Sequence, residues 1–393
     1  LGLLFTEPGA ATLLKGLDRP LSHQIWMLAV VSSLPMALTS ILLASTRGTG
    51  RMGPSSLNEG LMVPLSRVLL FLVLFVVGLR EVGALWAYLA SAMVGLALAW
   101  WYARDAIATD PGTPKTWEWG TVVPFSLAQG GSGVLETGLF WADTLIIAAL
   151  LTSGDVGVYG AAGRLALIPT MLLVAFNTVF QPWAASLWAR GDREELERLY
   201  QQVTRLVTGG SVPFYLLLAA FPGPLLAVFG EEFRTGAIAL VVLALGQIAN
   251  VATGPAANLL SMAGYPSWNF WNNAALLVLN VAANLALVPR FGIIGAAIAW
   301  AGSVIVVNAA RVVEVRHLTG LIPYDHHLLR ISGLLLVGGA ILLALRPWQI
   351  VSFGEAVLWG APFVLAWMAA FVVLLPAEDR RLLRELLPIG RAR

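Results

Sequence analysis

Long apolar stretches separated by short polar connections make up most of the chain. Eleven of them reach the roughly 20 residues that a helix needs to cross a bilayer. They run over about 23–46, 61–79, 82–103, 121–151, 156–183, 203–221, 234–262, 268–288, 292–313, 328–346 and 354–375. Several carry proline, as at Pro35, Pro64, Pro124, Pro169, Pro213 and Pro255. Such kinks are tolerated because neighbouring helices satisfy the backbone groups they release. The longest polar connection, 188–206, holds Asp192 and Glu195 in capping-pair spacing, then Leu196, Leu199, Tyr200, Val203 and Val207 at helical spacing. Two readings stay open for it: an amphipathic helix on the membrane surface, or an extension of the following span.

Composition agrees with the pattern. Of 393 residues, 58% are hydrophobic and 12% charged, against about 25% charged in soluble domains. Mean hydropathy is +0.79. The fold class expected is therefore an all-α integral membrane protein. There is no cysteine, which excludes disulfides and thiolate-held zinc or iron–sulfur clusters. A net charge of +2 without a basic tract gives no reason to expect nucleic acid.

Arginine and lysine set the orientation. Assigned to alternate sides of the eleven spans, sixteen of the 24 fall on one side, six on the other, and Arg67 and Arg164 lie within spans. The rich side includes Arg205, Arg311, Arg330 and the tail arginines, and the positive-inside rule makes it cytoplasmic. The C-terminus is then inside and Leu1 outside. With no initiator Met and no cleavable signal, the chain is expected to begin within a longer protein. An odd number of preceding spans would return the N-terminus to the inside.

A weak internal similarity links 78–91 with 287–300, at an offset of 209 residues that encloses six spans. Parallel repeats would give this pattern, and so would common small-residue patterns in membrane hairpins.

Polar residues within spans mark candidate chemistry, because an intramembrane charge costs about 2.5–3.5 kcal/mol and faces a cavity or a partner. Gln129, Glu136 and Asp143 recur every seven residues, one stripe along one span. By the span bounds, Asp143 and Arg164 lie at matching depths, about 12–13 Å from the outer surface, so the geometry allows an ion pair between these neighbouring spans. It either locks two helices together or leaves Arg164 to an anionic substrate. Glu136, deeper and without an evident partner, is the better candidate to take up a coupling proton. Gln247, Asn250 and Asn258 form a second stripe; Asn273, Asn280 and Asn284 a third; Asn177 and Gln181 lie on a further span. Interhelical hydrogen bonds account for any one of them, whereas several stripes together favour a wet cavity. Arg67 lies about six residues inside its cytoplasmic end. It either snorkels to the surface or turns inward to meet a phosphate. Asp325-His326-His327 has the residue types of a metal site, but a solvated turn beside Pro323 is the expected reading.

Specific residues then resemble a known group. The stretch 140–169 carries Asp143, Gly157, Tyr159, Ala162, Arg164 and Leu165 in a pattern similar to polysaccharide flippases. Residues 182–200 and 225–240 resemble further segments of that family. Residues 280–300 carry its most specific block, with Asn284, Leu287, Pro289, Gly292, Gly295, Ala296, Ala297 and Ala299. The resemblance is to Wzx-type oligosaccharide-lipid flippases of the MOP superfamily, which also holds MurJ-type lipid II flippases and MATE exporters. It implies two parallel six-helix lobes around a central cavity and fourteen spans, of which those here are the fourth to the fourteenth. Residues 1–103 would be the remnant of the first lobe, 121–313 the second lobe, 328–375 two additional spans, and 376–393 a cytoplasmic basic tail.

The resemblance further implies translocation of undecaprenyl-pyrophosphate-linked oligosaccharide across the bacterial cytoplasmic membrane, by alternating access and without a cofactor. Lipid-linked oligosaccharide and membrane lipids would be its partners, with the polysaccharide polymerase machinery as a further candidate. Cavity candidates are Arg164, Arg67, Asn177, Gln181, Gln247, Asn250, Asn258, Asn280 and Asn284; ion-coupling candidates are Glu136 and Asp143. A MurJ-like flippase or a MATE-like exporter is the alternative. An enzyme is not expected: the outer connections at 152–155, 222–233 and 289–291 are too short for a catalytic loop, and no nucleophile, phosphate-loop or zinc motif occurs.

Overall fold

The computed structural model describes residues 22–48, 53–107, 119–345 and 352–380, and it divides the chain into two compact units, Leu1–Thr116 and Trp117–Arg393. The expected orientation rests partly on Lys15, Arg19, Arg51, Lys115, Arg346 and the tail arginines from Arg381 onward, which lie outside the described residues.

The described residues are almost wholly helical, as the apolar pattern requires. In the first unit α1 (Ser22–Gly48) and α2 (Gly53–Val76) both pack on α3 (Arg80–Ile107). A π-helical turn at Asn58–Met62 interrupts α2. The fully buried Asn58 uses it to donate to the Gly95 carbonyl of α3 at 2.9 Å.

The second unit holds α4 (Trp119–Leu150), α5 (Ser153–Leu167), α6 (Met171–Arg190) and α7 (Arg193–Ala220). Short turns over 222–236 lead to α8 (Ala237–Ala252) and α9 (Ala256–Met262). Local sequence sets the ends. Thr152 and Asp155 cap α5 reciprocally, so both end donors are satisfied. Gly191, at φ +73°, closes α6. α5 and α6 meet at a 48° bend beside Pro169, whose carbonyl accepts from Ser211 Oγ at 3.0 Å.

The helical run Pro266–Thr319 leaves helical geometry at Gly292, with φ +57° and ψ −140°. Its cross-links show what that break does. Asn272 bonds Glu314 and Asn273 bonds Arg311, pairs whose midpoints both fall at the break. The run is therefore an antiparallel hairpin, α10 (266–291) and α11 (293–319). Glycine is required at the turn because φ is positive. Gly295 is required because a Cβ there would stand 2.4 Å from the Leu287 carbonyl oxygen across the turn.

Two further helices, α12 (His326–Leu345) and α13 (Phe353–Leu374), pack on α7. α7 is the most enclosed helix, and it runs unbroken from its Asp192 cap into the membrane segment. The 193–206 stretch is thus an extension of that span, not a separate surface helix. Trp367 of α13 donates to the Gly209 carbonyl of α7 at 2.8 Å. At the α7 end that the charge count assigns to the cytoplasm, Arg205 gives Nε and Nη2 to Asp379 at 2.9 and 2.8 Å and Nη1 to Asp325. Burial pushes the Asp379 carboxyl above its ordinary value, against the pull of Arg205.

Each of the eleven expected segments meets a helix. By length and hydropathy, nine helical runs among the described residues are able to cross a bilayer, or ten with the bent pair α5–α6 as one span; the Pro266–Thr319 hairpin counts once in that number.

Candidate functional site

In the second unit the polar stripes converge. Asp143 of α4 is buried at 5% exposure and accepts three bonds: from Tyr159 Oη of α5 at 2.6 Å, and from Asn280 and Asn284 Nδ2 of α10 at 3.0 and 2.8 Å. The Asp143–Arg164 ion pair that the sequence allowed does not form: Asp143 is held by Tyr159, Asn280 and Asn284 instead. Asp143 lies seven residues before the end of α4 at Leu150, whereas Arg164 lies eleven after the start of α5 at Ser153 and Tyr159 only six, so Tyr159 stands level with Asp143 and Arg164 about a turn deeper. Tyr159 therefore meets Asp143, and Arg164 does not reach it. The Oδ1 atoms of Asn280 and Asn284 are buried and have no hydrogen-bond partner.

Asp143 and Tyr159 form part of the wall of a cavity of about 500 Å³, with Arg164, Gln247, Phe233 and Trp300 among its other lining residues. Arg164 is exposed and has no ion-pair partner among the described residues. A guanidinium on an apolar-walled cavity binds phosphate or carboxylate through paired N–H groups.

The second stripe joins the third through residues that the sequence reading left out of the site. Gln247 accepts from Asn250 at 3.1 Å, Asn250 accepts from Asn308 at 3.1 Å, and Asn308 accepts from Arg311 Nη1 at 3.2 Å. Arg311 Nη2 also reaches Asn273 Oδ1, and Asn273 Nδ2 donates to Glu136 at 2.9 Å. Glu136 therefore has a partner, contrary to expectation. Arg311, counted with the cytoplasmic charges, is 8% exposed and lies inside the helix packing. Its position was readable in principle: Asn273 and Arg311 stand 19 residues to either side of Gly292, so a hairpin turning there brings them together.

The remaining candidates separate. Gln181 donates to Asn258 at 2.8 Å, tying α6 to α9, and Gln129 accepts from Ser261 at 3.3 Å. Asn177 Oδ1 is buried without a partner. In the first unit Arg67 does not snorkel: its guanidinium lies 4.3 Å from the Tyr88 ring centroid, and Nε donates to Ser91 at 3.3 Å. Asp325 is not a solvated turn residue. Its oxygens are taken by Arg205 and by the Leu328 N–H at 2.8 Å, which caps α12. Potential ligand atoms of Asp325, His326 and His327 lie within 4.8 Å of one another, but the Asp325 carboxylate is already engaged by these two bonds.

The comparisons with known proteins follow the same lines. A family model described as "Polysaccharide biosynthesis protein" matches residues 1–188, and the MatE model matches residues 130–286. A protein of Haloferax volcanii named "Probable low-salt glycan biosynthesis flippase Agl15" is 30% identical over 172 residues, 41% of this chain and 34% of that protein. "Probable flippase AglR" of the same organism is 27% identical over 180 residues, 43% of this chain and 37% of that protein. The matched part of the chain thus spans about a third of the length of these relatives.

Among solved structures, the lipid II flippase MurJ in an inward closed conformation aligns with a TM-score of 0.65 at 13% identity, covering 89% of this chain and 74% of that one. A mutant of the Vibrio cholerae MATE transporter VcmN aligns with a TM-score of 0.65 at 16% identity, covering 80% and 74%. The protein has the all-α fold of the MOP superfamily. Its resemblance to that superfamily holds in sequence and in structure.

Proposed function

We propose that the protein is a flippase that carries undecaprenyl-pyrophosphate-linked oligosaccharide across the bacterial cytoplasmic membrane, for surface polysaccharide assembly, by alternating access. The observation that carries this reading is Arg164: a cation without an ion-pair partner among the described residues, on the wall of a 500 Å³ cavity within the membrane helices. Pyrophosphate offers the oxygens that a guanidinium pairs with, and exclusion of water strengthens the contact. Arg67, held inward by Tyr88 and Ser91, is a second cation for the same chemistry. The amides of Asn177, Gln181, Gln247, Asn250 and Asn258 would line the sugar path. Asp143 is the ion-coupling group, with the two unpartnered oxygens of Asn280 and Asn284 beside its carboxylate. Glu136 is a second ion-coupling group.

In this reading 1–103 belongs to the first lobe, 121–313 forms the second, 328–375 adds two spans, and the C-terminus lies inside. The polymerase machinery that extends the exported unit is its expected partner.

The test is expression in a bacterium that lacks its own oligosaccharide flippase, with surface polysaccharide and drug resistance scored in parallel. Restored polysaccharide without resistance is the expected result; resistance alone would move the protein to the MATE-like reading. Arg164→Ala is expected to lower export roughly tenfold or more, since a charge-assisted hydrogen bond is worth about 1.5–3 kcal/mol. Arg67→Ala is expected to cost less. Equal export by the Arg164 variant at equal membrane abundance removes Arg164 from the substrate path.

A further inference from the structure

A second charged assembly lies away from Asp143. Arg311, 8% exposed, is acted on by two carboxylates: Glu136 of α4 and Glu314 of its own helix. Two adjacent asparagines of α10 hold the group together. Asn272 donates to Glu314, while Asn273 accepts from Arg311 and donates to Glu136. These three are the charged groups of the assembly. α8 brings only the uncharged Gln247 and Asn250, and α10 only Asn269, Asn272 and Asn273.

We infer that Glu136, Arg311 and Glu314 form a proton-binding site separate from Asp143, in which Arg311 neutralises one carboxylate and a proton from water neutralises the other. The charge count is the first support. Two carboxylates against one guanidinium leave the assembly at −1 on helices long enough to cross a bilayer, where an uncompensated charge is costly and protonation relieves it. The proton forms an O–H bond on one glutamate and the site becomes neutral, with nothing oxidised or reduced.

Hydrogen-bond accounting is the second support. The Nε of Arg311 is buried with no partner, and so is Oδ1 of Asn269, one helical turn from Asn272 and Asn273. A donor and an acceptor thus stand unused near the carboxylates, as a site that exchanges a hydrated proton requires. Access is the third support, because Glu136 is exposed and Glu314 half-buried, so neither carboxylate is enclosed by the helix packing.

The site also has a line to the cavity. From Arg311 to Asn308, Asn250 and Gln247, every bond has its donor on the Arg311 side. Such a chain polarises in one direction, and Gln247 at its end belongs to the cavity wall with Asp143. Charge at the glutamates is therefore felt at the cavity. Coupling to transport rests on the proposed flippase function; proton binding itself does not.

The experiment is infrared difference spectroscopy of the purified protein through a pH titration, reading the carboxylic-acid C=O band. A band that grows on acidification is expected, lost or displaced in Glu136→Gln and in Glu314→Gln but retained in Asp143→Asn. Arg311→Lys keeps the charge and is expected to keep the band. Arg311→Gln leaves both glutamates uncompensated and is expected to raise the band about twofold, a change that a purely structural arginine would not produce. A titration unaltered in both glutamate variants overturns the site, whatever transport does. Transport unchanged in Glu136→Gln, with the band present in the unsubstituted protein, refutes only the coupling of Glu136 and leaves the proton site standing.

Discussion

Replacing Asp143 by alanine is expected to abolish export and to remove most of the protein from the membrane. The carboxylate is the shared acceptor for Tyr159, Asn280 and Asn284, all within the helix packing. Without it, Tyr159 Oη and Asn280 Nδ2 lose their acceptor, and Asn284 Nδ2 keeps only the Asn280 carbonyl at 2.9 Å. A buried group left unpaired costs about 1–3 kcal/mol, so the sum is a large part of the about 5–15 kcal/mol that holds a typical domain together. Asp143→Asn separates fold from function, because its one amide oxygen still serves part of the triad while the negative charge is gone. It is expected to reach the membrane at near-normal abundance and to transport poorly. Quantitative membrane immunoblots beside an export assay check both statements. Normal export by Asp143→Asn would end the coupling role of Asp143.

A valine at position 295 is expected to be comparably severe for a different reason. The first carbon of any side chain at Gly295 meets the Leu287 carbonyl oxygen at 2.4 Å and its carbon at 2.6 Å. Both are backbone atoms, so the α10–α11 turn has to open. Overpacking typically costs about 1–3 kcal/mol even where side chains can shift, and here they cannot absorb it. The thermal midpoint of the purified protein should fall by several degrees or more. Gly302→Ala is the control: it lies on the same helix with no atom within 4 Å of the added carbon, and a helical glycine gains about 0.4–1 kcal/mol on such a change. A Gly295→Val protein as stable as that control would show that the turn is not closely packed.

These two residues bear on what the sequence made legible. Apolar run lengths located the helices, and the block 280–300 drew notice by resemblance. The structure supplies the physics of that block: Gly292 turns the chain, Gly295 admits the opposing backbone, and Ala296 and Ala297 are fully buried beside it. The start of α5 was not legible: the apolar run put it at 156, whereas the Thr152 cap puts it at Ser153, which sets Arg164 about a turn deeper than Asp143. Rotation around the helix was not legible either, because adjacent spans carry no signal of which faces meet, and Tyr159 took the place expected for Arg164. Arg311 was lost in the same way. Its distance from the helix end matches a charge at the membrane surface, and only the hairpin pairing about Gly292 sets it among the glutamates. Glu314 and Asn308 became visible with it.

The attachments of α13 to α7 have a mechanical meaning. Trp367 pins the middle of α13 to Gly209, and Asp379, just past its end, grips Arg205, which also holds Asp325 ahead of α12. One fastening would leave α13 free to pivot, whereas two along the same helix fix its axis. α12 and α13 thus splint the central helix against bending, and any rocking during a cycle carries all three as one lever. A label placed on α13 reports how far that lever turns.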